Sequence, residues 1–132
     1  MSATEHALVP AARVLVVDDE RKNRQLLEVM LGAAGHVVVT AECGADALTL
    51  AARERPDLIL LDVMMPGMDG YQVAGRLKGE PATRHIPVVL LTALDDRNSK
   101  AHGLAAGADA FLTKPVNQAE LAAVVGELLT KG

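Results

Sequence analysis

Hydrophobic residues along the chain follow two alternating spacings, one typical of strands and one typical of helices. Five short apolar runs rich in β-branched residues predict strands. These runs are Val14–Val17, Val37–Thr40, Leu58–Leu61, Val88–Leu91 and the weaker Ala110–Thr113. Three of them are almost continuously apolar, which is typical of strands covered on both faces by other elements.

Between the strands, apolar residues recur at a period near 3.6, which predicts amphipathic helices. The first helix has an apolar stripe of Leu26, Leu27, Met30, Leu31 and Ala34. Gly35 is placed to end it as a C′ residue. The last helix has a stripe of Leu121, Val124, Val125, Leu128 and Leu129. Asn117 and Glu120 form a candidate capping box at its start. Weaker patterns predict helices at about Ala45–Glu54, Gly70–Lys78 and Ser99–Ala106.

The order of these elements predicts an α/β fold. A strand followed by a helix occurs five times, and right-handed crossovers then give a doubly wound, five-stranded parallel sheet with helices on both faces. The length of 132 residues suits one domain, which we assign to residues 13–131. Residues 1–12 lack a helix or strand pattern, and we expect a flexible N-terminal arm.

Composition narrows the class of protein. A formal net charge of −4 argues against a nucleic-acid partner, and four scattered histidines argue against a zinc site. Cys43 is the only cysteine, which rules out an internal disulfide and fits a reducing compartment. Because no segment resembles a signal peptide or a membrane helix, we expect a soluble, cytoplasmic protein that does not bind a membrane.

Polar residues follow four of the predicted strands. The first strand ends in Asp18, Asp19 and Glu20, and the others end in Asp62, Thr92 and Lys114–Pro115. In open α/β sheets, ligands bind outside the carboxyl ends of the strands. The sequence therefore predicts that three or four carboxylates, one hydroxyl and one ammonium group meet at this edge.

Taken singly, most of these residues have an ordinary structural explanation. Asp18 or Asp19 could be the N-cap of the following helix. Thr92 could be an N-cap or a strand end, and Lys114 could be a solvated loop lysine. Asp62 is harder to explain, because an unpaired carboxylate at the end of a buried strand is costly. The four strand ends together indicate a functional site.

A crowded group of carboxylates needs a cation, and hard oxygen ligands suit Mg²⁺. We expect Asp19 and Asp62 to be direct ligands and Asp18 to act through a water molecule. The three aspartates contribute −3, which Mg²⁺ and Lys114 balance. Such a site can accept an anionic phosphoryl group, and attack by the Asp62 carboxylate would give an aspartyl phosphate. Thr92 can donate its hydroxyl to a phosphoryl oxygen.

These motifs resemble those of the response regulator receiver family of two-component signalling, whose domains are CheY-like. The resemblance runs from Val14 to about Leu129. The segments that carry it are Val14–Glu20, Pro56–Gly70, Ile86–Ala93 and Gly107–Pro115. The resemblance implies a flavodoxin-like fold with strand order 2-1-3-4-5.

The resemblance also assigns roles to individual residues. It implies that Asp62 accepts a phosphoryl group from a histidine kinase phosphohistidine or a phosphotransfer protein. Its implied metal ligands are Asp18, Asp19, Asp62 and the backbone carbonyl of Met64. Thr92 and Phe111 match the switch pair that rearranges on phosphorylation, although Phe111 by composition alone is a core aromatic. Lys114 matches the phosphate-contacting lysine and Pro115 the cis-proline that follows it.

The resemblance further implies a phosphorylated switch rather than an enzyme, because Asp62 is consumed and then regenerated. Its output surface comprises the fourth helix, the fifth strand and the fifth helix, which would bind an effector or a second copy of the chain. Exposed residues expected there are Arg97, Lys100, Asp109 and Glu120. The apolar neighbours Met64 and Leu94 predict a moderately long-lived phosphoryl state.

The segment Leu91–Asn117 also resembles, more weakly, receivers attached to output domains that synthesise cyclic di-GMP. The sequence contains no such domain, so it represents either a single-domain regulator or part of a longer one. Three alternatives remain open. A flavodoxin-like electron carrier would need a Ser/Thr/Gly-rich phosphate loop after the first strand and aromatic residues around the flavin, whereas this chain has Asp18–Glu20 there and only two aromatic residues. A haloacid-dehalogenase-type phosphatase would need Asp-x-Asp after the first strand, whereas Asp18 and Asp19 are adjacent. A pseudo-receiver would only dock proteins.

Overall fold

Five strands alternate with five helices along the chain. The computed structural model describes residues 11–93 and 97–131. The strands are β1 Arg13–Val17, β2 Val37–Ala41, β3 Leu58–Asp62, β4 Val88–Thr92 and β5 Ala110–Thr113. The helices are α1 Arg21–Ala33, α2 Gly44–Glu54, α3 Gly70–Gly79, α4 Arg97–Ala106 and α5 Gln118–Lys131. Every strand and helix expected from the sequence is present.

The sheet is parallel throughout, with strand order β2-β1-β3-β4-β5. This order confirms the doubly wound α/β fold. In the register of the central strands, Val17 pairs with Leu61 and Asp62 pairs with Leu91. The carboxyl ends of β1, β3 and β4 therefore lie side by side.

Alternate residues of each central strand enter two separate cores, as expected for strands covered on both faces. One core joins the sheet to α2 and α3 and includes Leu15, Ile59, Leu61, Leu90, Ala47 and Val73. The other joins it to α1 and α5 and includes Val16, Leu60, Leu91, Leu27, Leu31 and Leu121. Many of these side chains are fully buried, so the two cores hold the strand ends in fixed positions.

Local signals at the helix ends agree with the structure in outline. Gly35 has a φ of +91°, and the N–H groups of Gly35 and His36 donate to the carbonyls of Gly32 and Leu31. This is the Schellman pattern predicted for the end of α1. At the start of α5, the Asn117 side chain accepts from the Glu120 N–H. The Glu120 carboxylate binds the Asn117 side-chain amide instead of its backbone N–H, so the capping box is only half formed.

The apolar stripe predicted for α1 is partly wrong. Leu27 and Leu31 are buried, but Leu26 is 51 % exposed and Ala34 is also exposed. The reason is geometric: the helix contacts one face of the sheet, and only a narrow stripe can reach that face.

At the N-terminus, residues 1–10 of the expected arm lie outside the described residues. Ala12 is buried, and its carbonyl accepts from the Val37 N–H. Ordered packing therefore extends at least one residue into the segment that we expected to be an arm. Within the described ranges, the structure has no helix that is long and apolar enough to cross a membrane.

Candidate metal and phosphoryl-acceptor site

The strand ends bring three carboxylates together at the carboxyl edge of the sheet. One oxygen from each of Asp18, Asp19 and Asp62 lies within 4.8 Å of the other two. Asp18 and Asp62 are 0 % and 2 % exposed, whereas Asp19 faces solvent. The group thus combines two buried carboxylates with one that solvent can reach.

Asp18 is unusual because its two oxygens have different surroundings. Oδ1 accepts from the Glu20 N–H at 2.8 Å. Oδ2 is buried and has no hydrogen-bond donor within the described part of the chain. Burial is the main reason that the pKa of Asp18 is raised above its usual value, and the nearby Asp62 carboxylate adds to this. A buried, unpartnered carboxylate oxygen is one that a cation would satisfy.

The explanation of Asp18 or Asp19 as an N-cap is wrong. The N-cap of α1 is Glu20, and its side chain makes no capping hydrogen bond. The sheet instead holds Asp18 directly, since the Asp18 N–H donates to the Ala41 carbonyl on β2. The acidic pair therefore belongs to the site rather than to the start of the helix.

Lys114 supplies the positive charge of the site. Its Nζ lies 2.7 Å from Oδ1 of Asp62 and 3.9 Å from Oδ2 of Asp18. The backbone N–H of Lys114 donates to the Thr92 carbonyl, and the peptide bond that follows, to Pro115, is cis. The explanation of Lys114 as a solvated loop lysine is therefore wrong.

The donor set fits a hard divalent cation such as Mg²⁺. Three carboxylates converge, one of their oxygens has no hydrogen-bond donor, and the single ammonium group leaves a net charge of −2, which one divalent cation would balance. The Asp62 Oδ1 also accepts from the Met64 N–H at 3.3 Å. The side chain of Met64 is 75 % exposed, so solvent reaches this side of the site.

Thr92 and Phe111 lie on neighbouring strands. Thr92 pairs with Thr113, and Leu90 pairs with Phe111. Strand alternation puts Thr92 on the same face of the sheet as Leu90, and Phe111 packs against the core on that face. Thr92 is buried and Phe111 half-buried. The explanation of Thr92 as an N-cap is wrong, because α4 begins only at Arg97.

Two further residues position the site, and the sequence analysis missed both. Nη1 of Arg24 on α1 donates to the Asp18 carbonyl at 2.8 Å, and Nη2 lies 3.6 Å from Oε1 of Glu42. Gly70 opens α3 so close to β3 that a Cβ atom there would meet the backbone of Asp62 and Val63. The signal that could have identified Gly70 was its place directly after Asp69, which is the N-cap of α3.

A cleft of about 310 Å³ lies beside the acidic group. Its lining includes Asp18 and Lys114 from the site and Leu26, Leu27 and Val116 from α1 and the segment before α5. The exposed Leu26 forms part of its apolar wall. The acidic group therefore has a largely apolar surface beside it.

Residues 14–126 of the chain match the response regulator receiver domain family. Among its relatives, the chain is 56 % identical to Response regulator PleD of Caulobacter vibrioides over 118 residues, covering 89 % of this chain but 26 % of PleD. It is 39 % identical to Protein PilH of Pseudomonas aeruginosa over 118 residues, covering 89 % of this chain and 98 % of PilH. The chain thus spans about a quarter of the length of one relative and nearly all of the other.

Solved structures agree with these sequence matches. Chemotaxis protein CheY4 of Vibrio cholerae superposes with a TM-score of 0.85 at 34 % identity, covering 90 % of this chain and 99 % of that one. The receiver domain of sensor histidine kinase PA1611 of Pseudomonas aeruginosa gives a TM-score of 0.84 at 30 % identity, covering 90 % and 98 %. That second structure has a magnesium ion coordinated in its active site cleft.

Proposed function

Because the chain belongs to the response regulator receiver domain family, we propose that it is a phosphorylation switch whose acceptor is Asp62. The phosphoryl donor is the phosphohistidine of a histidine kinase or of a phosphotransfer protein. The observation that carries this proposal is the 2.7 Å contact between Lys114 Nζ and Asp62 Oδ1, beside two further carboxylates. Making a core requires neither this contact nor this charge group.

Asp18, Asp19 and Asp62 would hold Mg²⁺, together with the backbone carbonyl of Met64. When bound there, the ion would supply positive charge against the phosphoryl oxygens and would lower the repulsion between them and the carboxylates. The buried oxygen of Asp18 that lacks a donor supports this assignment. So does the fixed position of the Asp18 backbone, which the Ala41 carbonyl and the Arg24 guanidinium both hold.

In the transfer step, a carboxylate oxygen of Asp62 forms a bond to phosphorus as the bond from phosphorus to the histidine nitrogen breaks. The bonding electron pair stays with the imidazole of the donor, and the product is an aspartyl phosphate. Lys114 then exchanges its carboxylate partner for a phosphoryl oxygen. Thr92, one residue beyond the register partner of Asp62, donates its hydroxyl to a phosphoryl oxygen, and Phe111 moves with it.

The chain acts as a switch and not as an enzyme, since Asp62 itself takes up the phosphoryl group as a signal and is later regenerated. The output surface is formed by α4, β5 and α5, and its partner is an effector protein or a second copy of the chain. Of the residues expected to be exposed there, Asp109 and Glu120 are exposed. The side chains of Arg97 and Lys100 lie outside the described residues. Both the single-domain form and a place in a longer cytoplasmic regulator fit this role.

The phosphoryl state should be moderately long-lived. Met64 next to the acceptor is exposed and apolar, so it offers no group that would orient an attacking water molecule. Leu94, the second apolar neighbour, lies outside the described residues. Decay of the radiolabelled chain in Mg²⁺ measures this lifetime, and loss of the label within seconds would contradict the expectation.

The alternatives have less support. A flavin carrier would place the flavin phosphate beside Asp18 and Asp19, which would repel it. The acceptor of a haloacid-dehalogenase-type phosphatase follows the first strand, whereas here Lys114 contacts the carboxylate that ends β3. A pseudo-receiver that only docks proteins would not need three converging carboxylates and a lysine that contacts one of them.

Mg²⁺-dependent labelling by acetyl phosphate tests the proposal. The wild-type chain should gain one phosphoryl group, seen by intact mass, and Asp62→Asn should gain none. The matched control is Asp57→Asn, because Asp57 is an exposed carboxylate just before β3, at the opposite end of that strand. If the wild type fails to label, or if Asp62→Asn labels as the control does, the acceptor assignment is wrong and the docking alternative gains support.

A further inference from the structure

Gly103 on α4 lies against the ring of Phe111. A Cβ atom placed on Gly103 would stand within 3 Å of two ring atoms of Phe111 and 2.7 Å from Cδ1 of Leu90. Carbon atoms in favourable contact are about 3.5–4.0 Å apart, so no side chain fits beside the ring at its present position. The ring therefore occupies space that exists only because residue 103 is glycine.

This space, which we call the ring pocket, is bounded by Gly103 and Leu90. Both residues are buried, whereas Phe111 is only half-buried. The buried walls of the pocket thus lie on the inner side of the ring, and the exposed part of the ring faces away from them. Leu90 is two residues from Thr92 on the same face of β4, so the pocket adjoins the proposed switch pair.

α4 is also held from a second direction. The ring of His102, next to Gly103, lies 5.4 Å from the ring of Tyr71 on α3, and the two planes are tilted by 52°. The backbone N–H of Ala108, just beyond α4, donates to the Gly103 carbonyl. When ring and helix compete for the same space, the ring is the more movable partner, because it turns about side-chain bonds without disturbing these contacts.

We propose that Gly103 is the positioning residue for the Phe111 ring, and that the ring pocket sets how readily phosphorylation of Asp62 is transmitted to α4. This inference rests on the proposed function. A methyl group at position 103 would push the ring from Leu90 toward solvent and would oppose any state that needs the ring inside. Binding of a phosphoryl group is coupled to the ring position, so it would weaken as well.

The chain contains one phenylalanine, which makes the ring directly observable. Growth with 4-fluorophenylalanine gives a protein with a single fluorine resonance, that of residue 111. Three chains are compared: wild type, Gly103→Ala, and the control Gly75→Ala. Gly75 is also a helical glycine, but a Cβ atom there has no other atom within 4 Å. Each spectrum is recorded in H₂O and D₂O, before and during a titration with beryllofluoride in Mg²⁺.

Gly103→Ala should shift the resonance and increase its solvent isotope effect, while Gly75→Ala should match the wild type. The beryllofluoride midpoint of Gly103→Ala should rise by at least about fivefold, the lower end of ordinary allosteric coupling. A urea unfolding curve for each chain shows that the fold is kept. A glycine with a merely structural role would change that curve and leave the midpoint of the folded protein unchanged.

The possible results separate this inference from the proposed function. If the wild-type resonance does not respond to beryllofluoride, the switch role of Phe111 in the proposed function is wrong, and the fluorine shift of Gly103→Ala still decides whether Gly103 positions the ring. If the wild type responds but Gly103→Ala keeps its resonance and midpoint, the inference about Gly103 is wrong and the proposed function stands. Should Gly103→Ala not fold, Leu90→Val, which enlarges the ring pocket from its other side, is labelled at Phe111 and titrated in the same way. A lower beryllofluoride midpoint would support the inference, and an unchanged midpoint would contradict it.

Discussion

The ammonium group of Lys114 lies 2.7 Å from Oδ1 of Asp62, although 52 positions separate the two residues in the chain. The same nitrogen is 3.9 Å from Oδ2 of Asp18. One cation therefore faces two buried carboxylates and makes its short contact with the proposed acceptor. Since a third carboxylate adjoins them, the site without metal carries uncompensated negative charge.

Replacing Lys114 with methionine should strengthen Mg²⁺ binding while it weakens binding of the phosphoryl analogue. The ammonium group repels the metal ion but attracts the phosphoryl oxygens. Because the Lys114 side chain is 31 % exposed, solvent screens it and we expect a change of only about three- to tenfold in each affinity. Calorimetric titration at fixed ionic strength measures both affinities. Lys22→Met is the control, because Lys22 is an exposed residue of α1. Weaker Mg²⁺ binding by Lys114→Met would contradict this account of the site.

Asp18→Asn should stabilise the metal-free protein by about 1 kcal/mol at neutral pH, because it removes a charge that burial disfavours. Burial raises the folded-state pKa of Asp18 above the usual value of 3.8. The wild type is therefore most stable, as far as Asp18 is concerned, below pH 3.8, and it loses unfolding free energy as the pH rises from there through the folded-state pKa. The advantage of the variant should therefore be small in acid and grow toward neutral pH. Urea unfolding in a chelator measures it, and Asp19→Asn at the exposed position should show little of it.

Added Mg²⁺ should make the wild type more stable than Asp18→Asn. A ligand stabilises the folded state in proportion to the logarithm of its concentration over its Kd, and Asp18→Asn lacks one of the proposed carboxylate ligands. The wild type should therefore gain more in unfolding free energy than the variant does. Equal gains for the two chains would show that Asp18 takes no part in metal binding.

Gly70→Ala should destabilise the fold by about 2 kcal/mol, a typical cost of overpacking. The added Cβ would stand 2.8 Å from Cα of Val63 and closer still to the Asp62 carbonyl oxygen. Both are backbone atoms, so a change of side-chain conformation cannot relieve the clash. Gly75→Ala on the same helix meets open space and should instead stabilise by up to about 1 kcal/mol. Urea unfolding compares the two, and equal effects would refute the proposed close approach of α3 to β3.

His36 should make the fold sensitive to mild acid. It is buried, and its Nδ1 accepts from the Ala12 N–H at 3.1 Å. Burial lowers its pKa below the usual 6.5, so its contribution is complete above that value and is lost as the pH falls through the folded pKa. Below pH 6.5, the unfolding free energy should fall by up to about 1.4 kcal/mol per pH unit, the slope for one proton.

The test for this slope is His36→Asn, which keeps a side-chain acceptor near Ala12 but cannot titrate. Its unfolding free energy should depend less on pH between neutral and mildly acid conditions. His85→Asn is the control, because His85 is exposed. If the pH dependence persists in His36→Asn and disappears in His85→Asn, His36 is not its cause.

Five strands, five helices and the edge of the sheet where the acidic residues meet could all be predicted from the sequence. Hydrophobic periodicity is a local property of the chain, so it specifies which face each segment buries. The positions of Asp62 and Lys114 at strand ends then followed from the parallel topology. The role of Gly35 as the residue that ends α1 was also predicted correctly, because the end of a helix depends only on nearby residues.

Tertiary structure alone decided which of these residues touch. Periodicity placed Leu26 in the core, but only a narrow stripe of α1 reaches the sheet, which leaves Leu26 exposed. Asp109 is exposed as expected, but only the structure shows that its Oδ2 accepts from Lys78 Nζ and from the Val88 N–H. Nothing in the sequence distinguishes Gly70 from Gly103. In the structure, a Cβ atom on Gly70 would contact backbone atoms, whereas one on Gly103 would contact an aromatic ring. Such contacts join residues far apart in the chain, and only the packing of helices on the sheet sets their distances.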